Sequence, residues 1–95
     1  LNTQEILNNI PLSDVKSISP FNKGWSNDEK YIITQKTGQK FLLRIGPHKK
    51  LKQFENHFNL LKYCNENEVP THQVISFGEC LDNQHVYILM EWLEA

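Results

Sequence analysis

The sequence is poor in everything that would tie a fold together covalently or through metal. It has 2 cysteines, Cys64 and Cys80, far apart and in no C-x-x-C pair, while His48, His57, His72 and His85 fall singly. That excludes zinc-ligand spacing and a disulfide framework, so both thiols read as structural. No run approaches the roughly 20 consecutive apolar residues of a membrane span, and the N-terminus lacks a basic, apolar, small-residue export signal. The formal charge of −1 at pH 7 provides no long-range field to gather polyanions, so a nucleic-acid partner has no electrostatic footing. Internal repeats, low-complexity tracts and linkers are missing too. These absences predict a cytoplasmic protein with no membrane and no nucleic-acid partner.

What is present is enough for one modest core. A chain of 95 residues makes a single domain, burying about 60 to 65% of its unfolded surface. Thr3 to Ile10 reads as a short leading helix, with Ile6, Leu7 and Ile10 on one side and Pro11 as its stop. Asp14 to Pro20 is a weak strand around Val15 and Ile18, and Tyr31 to Gln35 a stronger one rich in β-formers. Between the latter and Phe41, Lys36-Thr37-Gly38-Gln39 predicts a hairpin turn with Gly38 at positive φ. Alternation along Phe41 to Ile45 sets Phe41, Leu43 and Ile45 on one face and Leu42 with Arg44 on the other.

Downstream, Leu51, Phe54, Phe58 and Leu61 recur at helical spacing, which predicts an amphipathic helix fading by Asn65 to Asn67. Glu55 falls at the edge of its apolar stripe, within reach of a neighbouring strand. Val74 to Cys80 and Val86 to Trp92 then pair as a hairpin across Leu81-Asp82-Asn83-Gln84. Short turns between strands and one apolar helical stripe predict an α+β fold with antiparallel strands and the Leu51 to Asn65 helix packed on one sheet face.

Three places suggest chemistry. The turn Lys23-Gly24-Trp25-Ser26-Asn27-Asp28 would leave backbone N–H groups free for phosphate oxygens, although alone it reads as a plain hairpin connection without the G-x-G-x-x-G of protein kinases. Arg44 on a strand and Glu55 on the following helix are ordered as a phosphate-binding cation and the carboxylate that fixes it. At the end of the last strand, Glu91 C=O and Leu93 N–H are placed to read an adenine edge, with apolar neighbours sandwiching the ring. The basic run Lys49-Lys50-Leu51-Lys52 reads as a solvated helix start, and Trp25 as a staple for its own loop.

In order and separation these residues resemble the aminoglycoside phosphotransferase and choline kinase superfamily, particularly its bacterial aminoglycoside and macrolide kinase-like branch. The likeness runs from about Phe21 to Glu94: Lys23 to Tyr31, Gly38 to Ile45, Phe54-Glu55 with Leu60-Leu61, Val69-Pro70, Phe77-Gly78, and Met90-Glu91-Trp92-Leu93-Glu94. The resemblance implies a kinase-like small lobe, a five-stranded antiparallel sheet with one main helix, closing ATP or GTP with magnesium against a larger lobe. It places Gly24, Ser26 and Asn27 in the phosphate-covering loop, Leu42 and Arg44 on the nucleotide strand, Glu55 as Arg44's partner, and Met90, Glu91 and Leu93 at the adenine hinge.

The same resemblance implies transfer of the γ-phosphoryl group to a hydroxyl of a small molecule, a chemistry linked in this family to antibiotic resistance. The family's histidine-glycine-aspartate catalytic run is not in these 95 residues, so no catalytic residue is expected here. The chain is thus expected to be the N-terminal lobe of an enzyme, inactive alone, with no tightly bound nucleotide, self-associating through Met90, Trp92 or Leu93. Two other readings stand beside this one: a stand-alone α+β binding or scaffolding domain, and a lobe of a degenerate kinase that binds nucleotide without transfer.

Overall fold

In the computed structural model, residues 3–21 and 29–92 are described. Helix α1 (Thr3–Asn8) leads into strands β1 (Val15–Pro20), β2 (Glu29–Gln35) and β3 (Lys40–Pro47). A short 3-10 turn at His48–Lys50 opens helix α2 (Leu51–Glu66), and strands β4 (Val74–Cys80) and β5 (His85–Glu91) follow. The five strands form one sheet in the order β1-β2-β3-β5-β4. Every neighbouring pair is antiparallel, as the short turns predict. The α+β expectation therefore holds.

The turns carry the conformations their residues favour. Gly38 has φ 93°, and its N–H donates to the Gln35 carbonyl at 2.9 Å, closing the β2–β3 hairpin. Leu81, Asp82 and Asn83 all have positive φ, at 54°, 59° and 60°; Asp and Asn tolerate this region, whereas the β-carbon of Leu81 makes it costlier there.

Each sheet face has its own cover. Tyr31, Ile33, Phe41, Leu43, Ile45, Tyr87 and Leu89 pack with Ile6 and Ile10 beside α1. On the opposite face Leu42, Val86, Ile88 and Met90 pack under Phe54 and Leu61 of α2. Because β5 is covered on both sides, Val86 to Met90 are all buried, which is why that strand reads as a continuous apolar run rather than an alternating one. The spacing of Val15 and Ile18, three residues apart yet on one face, follows from a bulge between Val15 and Ser17; the extra residue shifts the alternation by one. A second bulge, between Val74 and Ser76, does the same for Val74 and Phe77 on the α2 face.

The route from α2 to β4 is fixed by one side chain. Asn65 Nδ2 donates to the His72 carbonyl at 3.1 Å, and its Oδ1 accepts from the Val74 N–H at 3.0 Å. This double contact returns the chain to the sheet at the edge next to β5, with His72 beside the end of that strand.

Candidate functional site

Strand parity turns Leu42 and Arg44 toward the α2 face, and the cross-strand register brings Lys30 on β2 opposite Arg44. These residues, with Phe21, His57, His72 and Met90, line a cleft of about 260 Å³. Leu42 and Met90 form an apolar wall. Phe21 and Trp92 meet edge to face at 5.3 Å between ring centres, and His72 lies 5.9 Å from Trp92. Among the described residues, the charged groups in the lining, Lys30 and Arg44, are both basic.

Arg44 is positioned by two groups from α2. Its Nη1 donates to His57 Nδ1 at 2.8 Å, and its guanidinium carbon lies 4.2 Å from the centre of the Phe54 ring. Phe54 and His57 are three residues apart, so they share a helix face. The guanidinium carries no acceptor and stays charged, so His57 must offer a lone pair at Nδ1 and carry its proton on Nε2. Burial first, then the charges of Arg44, His72 and Lys30, hold the His57 pKa below its ordinary 6.5.

The expected Arg44–Glu55 contact is corrected by this geometry: Glu55 Oε1 accepts from Lys52 Nζ at 3.2 Å on the exposed flank of α2, and no contact joins it to Arg44 among the described residues. Each helical residue turns the side chain by about 100°, so with Phe54 fully buried beneath the sheet, position 55 is carried off the stripe and position 57 comes back toward β3. The signal for His57 is present in the sequence as its spacing from Phe54, but one of four scattered histidines carries no pattern of its own.

At the hinge, the expectation of partnerless backbone groups is also corrected. His72 Nδ1 donates to the Glu91 carbonyl at 3.1 Å, and the Glu91 N–H donates to the Gln73 carbonyl at 2.8 Å. The Trp92 N–H extends the β3–β5 ladder to the Lys40 carbonyl at 3.0 Å. Met90 is 2% exposed, so it belongs to the core and offers no open surface for self-association. Gly24, Ser26, Asn27 and Leu93 lie outside the described residues, as does Trp25. No group of three metal-ligating side chains occurs among the described residues, and no described helix is long and apolar enough to cross a membrane.

A five-stranded antiparallel sheet, one main helix and a cleft beside the third strand are the architecture of a kinase-like small lobe. The model of the phosphotransferase enzyme family, APH, matches residues 17–95, and the chain belongs to that family. It is also 27% identical over 85 residues to an uncharacterised protein in the ileS 3' region of Staphylococcus aureus, a match covering 90% of this chain and 62% of that protein. The chain thus spans less than two thirds of that relative. No solved structure gives a significant match.

Proposed function

We infer that the chain is the nucleotide-binding lobe of an ATP-dependent small-molecule phosphotransferase, with the catalytic loop and the acceptor site in a larger lobe outside these residues. The observation that carries this reading is the polarity of the cleft: an apolar wall of Leu42 and Met90 continuous with a basic end at Arg44 and Lys30. A purine fits the first and its phosphates the second, since apolar walls with a few placed polar groups are how such ligands are held. The Arg44 fork pairs with phosphate oxygens through charge-assisted hydrogen bonds. ATP, when bound, supplies the γ-phosphoryl group that passes to a substrate hydroxyl.

The residues of this chain bind and orient. Glu91 offers its carbonyl's second lone pair to the base, the first being engaged by His72. Magnesium finds no carboxylate donor set in the described cleft, and no step of this lobe runs through it. Assignment to the cytoplasm belongs to the same proposal.

The test is an ATP titration followed by backbone and side-chain NMR. Shifts concentrated at Leu42, Arg44 and Met90, reduced about 10-fold in affinity by Arg44→Ala, are expected, as removing a hydrogen bond to a charged group costs roughly 1.5 to 3 kcal/mol. Shifts scattered over the surface, or unchanged affinity in Arg44→Ala, would defeat the reading.

A further inference from the structure

We propose that His57, in its neutral form, is the positioning residue for the Arg44 guanidinium, so that nucleotide affinity is switched off by protonation of one imidazole. This rests on the nucleotide reading of the cleft. Three observations lead to it. The Arg44 Nη1 to His57 Nδ1 separation of 2.8 Å is that of a short, charge-assisted hydrogen bond. The Phe54 ring 4.2 Å from the guanidinium carbon closes a second side, so the fork has a defined seat. The carboxylate expected to fix Arg44, Glu55, is engaged with Lys52.

The groups facing His57 across the cleft make the switch one-directional. Arg44 comes from β3, Lys30 from β2, and His72 from the segment between α2 and β4. None is acidic, and among the described residues no carboxylate lines the cleft. Adding a proton to His57 removes the only lone pair at Nδ1 and sets an imidazolium against a guanidinium. The hydrogen bond is then lost and replaced by like-charge repulsion, and Arg44 leaves its seat on Phe54.

A carboxylate in the same role stays charged across the neutral range and attracts its cation throughout. An imidazole gives neutral acceptance above its pKa and repulsion below it. The structure therefore builds acid sensitivity into phosphate binding at a place where a Glu–Arg pair would have none.

The experiment is an ATP titration of the chain by NMR at several pH values, comparing wild type with His57→Asn and His57→Leu, together with the nitrogen shifts of the His57 ring without nucleotide. The His57→Asn side chain keeps an acceptor near the Nδ1 position and does not titrate. The expected result is that wild-type affinity falls about 10-fold as His57 protonates, that His57→Asn holds its neutral-pH affinity and loses this acid limb, and that His57→Leu is weak at every pH. Comparison with His57→Asn removes the titration of ATP itself, which both proteins share.

In the free protein the His57 proton is expected on Nε2, and Arg44→Met is expected to raise the pKa of the ring. Equal acid limbs in wild type and His57→Asn, full affinity in His57→Leu, or a neutral His57 protonated at Nδ1 would each overturn the proposal while leaving ATP binding in place. Failure of ATP to perturb the wild-type cleft at any pH would instead overturn the nucleotide reading, and this proposal with it.

Discussion

Phe54 has no exposed surface and carries Arg44 on its ring face, so one side chain serves the core and the cleft together. Phe54→Ala is expected to destabilise the fold by about 3 to 5 kcal/mol, read as a lower midpoint in urea, whereas Phe54→Leu should keep most stability but release Arg44. Glu55→Gln is the contrasting change. Its partner Lys52 is largely exposed, and such pairs contribute roughly 0 to 1 kcal/mol. Urea unfolding of that variant is expected to shift little, and ATP affinity less than in Arg44→Ala.

Two titrating residues bend the stability profile in opposite directions. The Tyr31 hydroxyl donates to Glu29 Oε2 at 2.8 Å, and burial together with that carboxylate pushes its pKa from 10.0 to about 12. A raised folded pKa means a stabilising contribution that is whole below pH 10 and disappears as pH climbs through about 12. For His57 the folded pKa lies below 6.5, so its contribution is present above that value and is lost as pH falls through the lower folded one. Thermal melts against pH are expected to decline at both ends, with Tyr31→Phe flattening the alkaline limb and His57→Asn the acid one.

At the scale of elements, the clearest segments in the sequence were those governed by local rules. Alternation placed Phe41, Leu43 and Ile45 opposite Leu42 and Arg44, and the helical recurrence of Leu51, Phe54, Phe58 and Leu61 placed α2 over the second set, as the two cores show. The β2–β3 and β4–β5 hairpins followed from turn chemistry. The bulges in β1 and β4 were not legible, because a register shift is decided by pairing with a distant strand. Nor was the His57 seat, since which residue beside an apolar stripe faces the sheet depends on how far the helix is rotated about its axis, and that is set by packing around Phe54 and Leu61.

Asn65 was likewise invisible as a clamp. A polar residue at a fading helix end reads as ordinary, yet both ends of its amide are used. Asn65→Ala is expected to cost about 1 to 3 kcal/mol and to disturb the His72 contact with Glu91. Denaturant unfolding measures the first, and altered amide shifts at Gln73, Val74 and Glu91 the second.

For the whole molecule, charge is arranged locally: the net is −1, while the cleft carries Arg44 and Lys30 without an acidic residue among the described ones in its lining. ATP should therefore feel short-range attraction against a weakly unfavourable background. Raising salt from low to several hundred millimolar is expected to weaken ATP binding several-fold, through screening, while leaving adenosine nearly unaffected. Equal salt sensitivity of the two ligands would place the binding energy elsewhere than at the phosphates.

The position of β5 bears on how the chain comes to be folded during synthesis. It is the last of these strands made, yet it lies between β3 and β4 and supplies the buried residues Tyr87 and Leu89 to one core and Val86, Ile88 and Met90 to the other. Until those residues have left the ribosome, β4 has no neighbour in the sheet and α2 covers an incomplete floor. Pairing such as Phe41 with Glu91 must also close a long loop, which slows folding. A nascent chain arrested before β5 emerges would thus expose an unpaired β3 edge beside half-built apolar surfaces, the state in which a chaperone has most to bind.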